Sequence, residues 1–328
     1  MLRFGTGDPG LERTLHYDHR GMRVGVVDIG TNSTRLLICD VHHEGIHELD
    51  RRSQVTRLGD GVDASGELSE ESMQRVFATL DAYRDALDEQ GCETAVAVLT
   101  SAVRDAANGA DFTDEVRGRY GLEARTIDGE EEAQLTFRGA TAGRASRGEP
   151  LLVIDVGGGS TELVIGEDHD VSFHVSTQTG VVRGSERHLK SDPPAPEELQ
   201  ALGAEVRSIV EDSVPDALRA SVVEAIGVAG TATSCASIEQ ELDPYDPNAV
   251  QGYVLELGSC ELLLARLAAM PLAERREVVG LHPDRAPTIV AGVLILIEVL
   301  RTFGLEQMEV SEHDLMWGAA LRAAANAP

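Results

Sequence analysis

The feature that most constrains this chain is a repeat. Asp28-Ile-Gly-Thr-Asn-Ser-Thr-Arg-Leu-Leu-Ile38 aligns without gaps on Asp155-Val-Gly-Gly-Gly-Ser-Thr-Glu-Leu-Val-Ile165, 127 residues later, with six of eleven positions identical. Each copy follows an apolar run, Val24–Val27 in one and Leu151–Ile154 in the other. Self-similarity at this spacing predicts a duplicated structural unit. Within each copy an apolar strand ends at an aspartate, turns through glycine and small polar residues, and returns as a second strand. The expected structure is a β-hairpin whose turn exposes backbone N–H groups and hydroxyls. One such turn is an ordinary glycine-rich hairpin, but two facing each other across a cleft can clamp a phosphate.

The surrounding sequence alternates short apolar runs with stretches of helical period, the pattern of an α/β protein. Ser69 is placed to cap a helix with Met73, Val76, Phe77, Leu80 and Leu87 on one face and Glu70 and Glu71 in its first turn. Strands are expected over 95–99 and 124–127 and a helix over 130–139, with the loop 142–150 as the best linker. The run from Ile289 to Leu300 contains Glu298 and is shorter than the ~20 apolar residues a bilayer span requires, so it reads as a buried helix. The polar stretch before Met22 reads as a flexible tail, with Met22 as an alternative start. It lacks the apolar core of a secretion signal, so a cytoplasmic location is expected. Cys39, Cys92, Cys235 and Cys260 form no CxxC pair and are expected to be reduced structural thiols.

The chain has neither GxxxxGK[ST] nor GxGxxG spacing at Gly157-Gly-Gly, which excludes P-loop and Rossmann readings. Instead Asp28-Ile-Gly-Thr-Asn-Ser, Thr100-Ser-Ala-Val-Arg-Asp-Ala-Ala-Asn108, Gly129-Glu-Glu-Glu-Ala133, Asp155-Val-Gly-Gly-Gly-Ser-Thr-Glu162, Gly180-Val-Val-Arg183 and Gly230-Thr-Ala-Thr233 occur in this order. The series resembles that of the exopolyphosphatase and guanosine pentaphosphate phosphatase (Ppx/GppA) family, from Met22 to the C-terminus. The resemblance implies an α/β fold of two ribonuclease-H-like domains, the actin-like ATPase superfold, flanking an active-site cleft. The expected division is residues 22–128 with 305–328 as the first domain and 129–304 as the second. Long members carry a further helical C-terminal domain that this sequence lacks. The closing Ser311-Glu-His-Asp-Leu-Met-Trp-Gly318 also differs from the Gly-Leu-Arg-Glu-Gly of many members, so His313 and Asp314 read as helix-start polar residues.

Carried over position by position, the resemblance makes Glu132 the general base that activates the attacking water. A carboxylate on the first turn of a helix in a cleft can accept that proton. Asp155 and Glu162 are implied to hold Mg²⁺ or another divalent cation. Asn32, Ser33, Gly157, Gly158, Gly159 and Ser160 are implied to bind the terminal phosphate, and Arg104 to pair with its oxygens. Gly230 and Thr231 fall where related folds bind the nucleoside. In the repeat Glu162 replaces Arg35, so one copy offers an anion and the other a cation.

The net charge of −28, with Lys190 the only lysine among 28 basic residues, describes a carboxylate-rich surface that repels nucleic acid and anionic lipid. A polyanionic substrate must then meet a local group of cations. The candidates are Arg183, Arg187, His188 and Lys190 in one segment and Arg138, Arg144 and Arg147 in another. The expected partner is a polyphosphate or guanosine polyphosphate, with neither nucleic acid nor membrane, and a homodimer left open. Two rival readings are a kinase of the same superfold and a non-catalytic phosphate or nucleotide sensor. Glu132 and the lack of an acceptor-pocket signature argue against the first, and Glu132, Asp155 and Glu162 together argue against the second.

Overall fold

The computed structural model describes residues 21–327 apart from 43, 44, 146 and 169. The expected tail, up to residue 20, lies outside the described residues. Strands β1 (Met22–Ile29), β2 (Ser33–His42), β3 (Gly45–Val55), β4 (Thr94–Leu99) and β5 (Glu123–Thr126) form one sheet in the order β3-β2-β1-β4-β5. The second sheet contains β6 (Leu151–Val156), β7 (Thr161–Glu167), β8 (Asp170–Thr177), β9 (Glu224–Val228), β10 (Val254–Glu256) and β11 (Gln307–Val310) in the order β10-β11-β9-β6-β7-β8.

The two sheets repeat one plan. In each, a three-stranded antiparallel meander leads from the hairpin, and the first strand of the hairpin pairs in parallel with a strand reached through helices: β1 with β4, and β6 with β9. This is the duplicated α/β architecture that the repeat predicts, in the ribonuclease-H-like form of the actin-like ATPase superfold. One expected boundary shifts: Gln307–Val310 pairs with β9 and β10 in the second sheet, so the chain leaves that sheet only after Val310. The four-residue strand carries one short apolar signal, Met308 and Val310, and its sheet is fixed by tertiary pairing that sequence alone does not display.

Local chemistry sets the helices. Ser69 accepts a hydrogen bond from Ser72 N–H at the start of Glu70–Gln90, and Gly91 closes it in the left-handed region at φ 65°. Helix Ile289–Phe303 has nearly every residue buried and lies in the core of the second half. No helix among the described residues is long and apolar enough to cross a membrane. The four cysteines are unpaired thiols.

Helix Gly129–Ala140 lies between the two sheets and so reaches the cleft. Its Leu135 packs with Val24, Val26 and Leu37 of the first sheet, while Ala133 and Phe137 pack with Val153, Val164 and Ile226 of the second. It crosses the C-terminal helix Leu315–Asn326 at van der Waals distance. A Cβ on Gly139 would lie 1.9 Å from the Asp314 carbonyl oxygen, and one on Gly318 would lie 1.9 Å from that of Leu135. Only glycine permits backbones this close.

Candidate active site

The two hairpin turns have one geometry. Gly30 N–H donates to Ser33 O and Gly157 N–H to Ser160 O, each at 3.0 Å. The residues beyond each turn come into register with the aspartate before it, Asp28 opposite Arg35 and Asp155 opposite Glu162. The turns face each other in contact: a Cβ on Gly158 would lie 2.9 Å from Asn32 Cβ, and one on Gly159 would lie 3.3 Å from Thr31 Cγ2. Glycine at 158 is therefore required by the opposing turn.

Between the turns is a polar pocket of about 110 Å³. Asn32, Ser33, Gly157, Gly158, Ser160, Gly230, Thr231, Glu132, Asp155 and Glu162 all line it. Thr231 is oriented by its hydroxyl, which donates to Val156 O at 3.0 Å. Gly159 is turned toward Thr31, outside the lining. Arg104 also stands behind the pocket, and its Nη1 donates to Glu132 Oε2 at 2.9 Å and to Ile127 O at 3.1 Å. Arg104, expected to pair with phosphate oxygens, bonds the candidate base here.

The carboxylates are strained by their surroundings. Burial raises the Glu132 carboxyl, and Arg104 opposes that shift. Burial raises Asp155 to about 7, against the pull of Arg35 and with help from Asp314 and Glu132. Glu162 is pushed well above the carboxylate range by burial and then by Glu132 and Asp155, although Ser160 and Ser176 donate to it. Ser176 does so at 3.0 Å. Carboxylates that raise one another in this way favour a bound cation. Among the described residues no three His, Cys, Asp or Glu side chains form a metal cage.

Three features of the pocket were not legible in the sequence. Asp28 is buried and doubly bonded by Arg35, from Nε at 2.8 Å and Nη2 at 2.6 Å. Arg35 Nη1 also donates to Asp314. Arg285 enters from the far side, with its guanidinium so close that a Cβ on Gly230 would lie 1.8 Å from Nη1. No carboxylate among the described residues pairs with Arg285, and burial followed by repulsion from Arg35 lowers its pKa. It lines both this pocket and an adjoining chamber of about 740 Å³ that also contains Arg51, Tyr245 and Arg276. A guanidinium without a carboxylate partner in a pocket lined by two hairpin turns has donors free for an oxyanion. Nothing local marked Arg285 in the sequence; Gly230, which makes room for it, was the only trace.

Two facing hairpin turns, a buried carboxylate on the cleft helix and a pair of buried carboxylates line one pocket of an actin-like fold. Residues 37–325 match the Ppx/GppA phosphatase family. The chain is 37% identical to exopolyphosphatase 2 of Mycobacterium tuberculosis, over 92% of this chain and 98% of that one. It is 31% identical to exopolyphosphatase 1 of the same organism, over 92% and 88%. Among solved structures, a Ppx/GppA family member from Aquifex aeolicus superposes with a TM-score of 0.80 at 29% identity, covering 94% of this chain and 99% of that one. An exopolyphosphatase from Cytophaga hutchinsonii gives 0.83 at 27% identity, covering 94% and 99%. The chain belongs to the Ppx/GppA phosphatase family.

Proposed function

We propose that this protein is a divalent-cation-dependent phosphohydrolase that releases the terminal phosphate of inorganic polyphosphate, of guanosine pentaphosphate, or of both. The observation that carries the reading is the matched pair of turns with the unpaired Arg285 above them and buried Glu132 beside them. Glu132 accepts a proton from a water as its oxygen attacks the terminal phosphorus. The bridging P–O bond breaks, and its electron pair leaves with the shortened chain. Burial raises the Glu132 carboxyl, and Arg104 opposes that shift by favouring the ionised form that can take the proton. The turn N–H groups and Arg285 hold the charge that develops on the phosphoryl oxygens. A cation held by Asp155 and Glu162 would neutralise charge on those oxygens. The test is phosphate release by the pure protein with Mg²⁺, first from polyphosphate and then from guanosine pentaphosphate. Release from neither substrate refutes the reading, and tight phosphate binding without turnover would favour a sensor.

The expected basic path for a long chain is largely engaged elsewhere. Arg187 and His188 both bond Glu205, Arg144 and Arg147 bond Glu224, and Lys190 bonds Glu186 O. With the net charge of −28, the site is therefore suited to short substrates. KM for long polyphosphate is expected to fall or stay flat as monovalent salt rises, because the Debye length shortens from ~10 Å at 0.1 M to ~3 Å at 1 M and repulsion weakens. Long chains that bind best at low salt and weaken steeply as salt is added would contradict this.

A further inference from the structure

The closing segment of the chain departs from the Gly-Leu-Arg-Glu-Gly pattern, and the structure gives the departure a location. Aligned on Leu315 and Gly318, Asp314 falls where that pattern has its first glycine. Its carboxylate has two engagements. Oδ1 accepts the Met316 N–H at 2.9 Å and so caps the C-terminal helix, while Oδ2 accepts from Arg35 Nη1. Asp314 is 1% exposed, and the influence of Arg35, Arg51 and the Met316 N–H outweighs burial to hold its carboxyl below the usual range.

We infer that Asp314 is a positioning residue that holds the Arg35 guanidinium on the Asp28 side of the cleft, away from a bound phosphate. Arg35 lines the phosphate pocket together with Asp155, whose charge it feels, so a freed guanidinium would be a second strong oxyanion ligand. Bonded to Asp28 through Nε and Nη2 and to Asp314 through Nη1, it has every nitrogen engaged and is held in place by two carboxylates. The unpaired Arg285 is left as the pocket's oxyanion-binding guanidinium. Product phosphate is then held loosely enough to leave. The inference rests on reading this pocket as a phosphate site.

The test is a double-mutant cycle read by calorimetric titration of inorganic phosphate with Mg²⁺ present. Asp314→Asn keeps the helix cap, since Asn caps as well as Asp, and removes the charge that holds Arg35. Phosphate affinity is expected to rise on the order of tenfold, the scale of one unit charge redirected in a partly buried site. In turnover, KM and kcat are expected to fall together as product release slows. In an Arg35→Gln background the same Asp314→Asn change is expected to leave phosphate affinity unmoved, because the effect passes through Arg35. Equal tightening in both backgrounds would show that Asp314 acts by its own field and overturn the inference, as would no tightening in either. Asp314→Ser, which also caps, repeats the cycle if the Asn variant does not fold. A wild-type protein that binds no phosphate removes the reading of the pocket and this inference together.

Discussion

Replacing Glu132 by Gln is expected to lower kcat by roughly 10² to 10⁴, the usual worth of a positioned general base, while KM changes little. The side chain is 8% exposed and hydrogen-bonded to Arg104, so the amide fits the same space and keeps an acceptor for the guanidinium. What it loses is the ability to take a proton. A structural role would appear instead as a lower Tm with turnover retained per folded molecule. Measurement of kcat, KM and Tm on the one variant separates the two, and near-normal kcat would place the base elsewhere.

The second large effect concerns the cation and pH. Asp155, raised to about 7 in the folded protein from an ordinary value of 3.8, binds its proton more tightly folded than unfolded. Stability from this group is therefore fully present below about pH 4 and is lost as pH rises through 7. Glu162 acts in the same direction. The shift on Asp155 alone is worth up to about 4 kcal/mol. On the proposed reading Mg²⁺ would offset the loss by binding the ionised pair, so the gain in Tm on adding saturating Mg²⁺ is expected to be small at pH 5 and large at pH 8. Asp155→Asn is expected to raise the Mg²⁺ concentration needed for turnover and to flatten this pH dependence. A Tm gain that is the same at both pH values in the wild type would remove Asp155 and Glu162 as the cation site.

The parts of the fold that were legible in the sequence are those encoded by short-range pattern. The repeat gave two hairpins with register-matched aspartates, the Ser69 cap gave the start of its helix, and an apolar run gave the buried helix Ile289–Phe303. Strand β11 escaped because only its neighbours β9 and β10 tell which sheet it joins. The pocket divides the same way. Most residues inside a motif line its wall, whereas Arg285 reaches it from a segment far along the chain and Asp314 acts on it only through Arg35. Asp314 was legible only as a helix-start residue. Its second bond, to Arg35, spans 279 positions and leaves no local trace. Arg104 was found by motif, but its hydrogen bond to Glu132 depends on how two helices meet.

The exchange of Arg35 for Glu162, the one charge difference between the two repeated segments, bears on the polarity of the proposed reaction. Two identical turns would be related by a local dyad, and a tetrahedral phosphate could sit between them in either of two equivalent senses. With a neutralised Asp28–Arg35 pair on one side and the unneutralised Asp155–Glu162 pair on the other, the two senses differ in energy. The cation-seeking face lies on one side only. On the proposed reading a substrate has one productive direction of entry, and the charge exchange between the duplicated halves turns a symmetric cradle into a vectorial one.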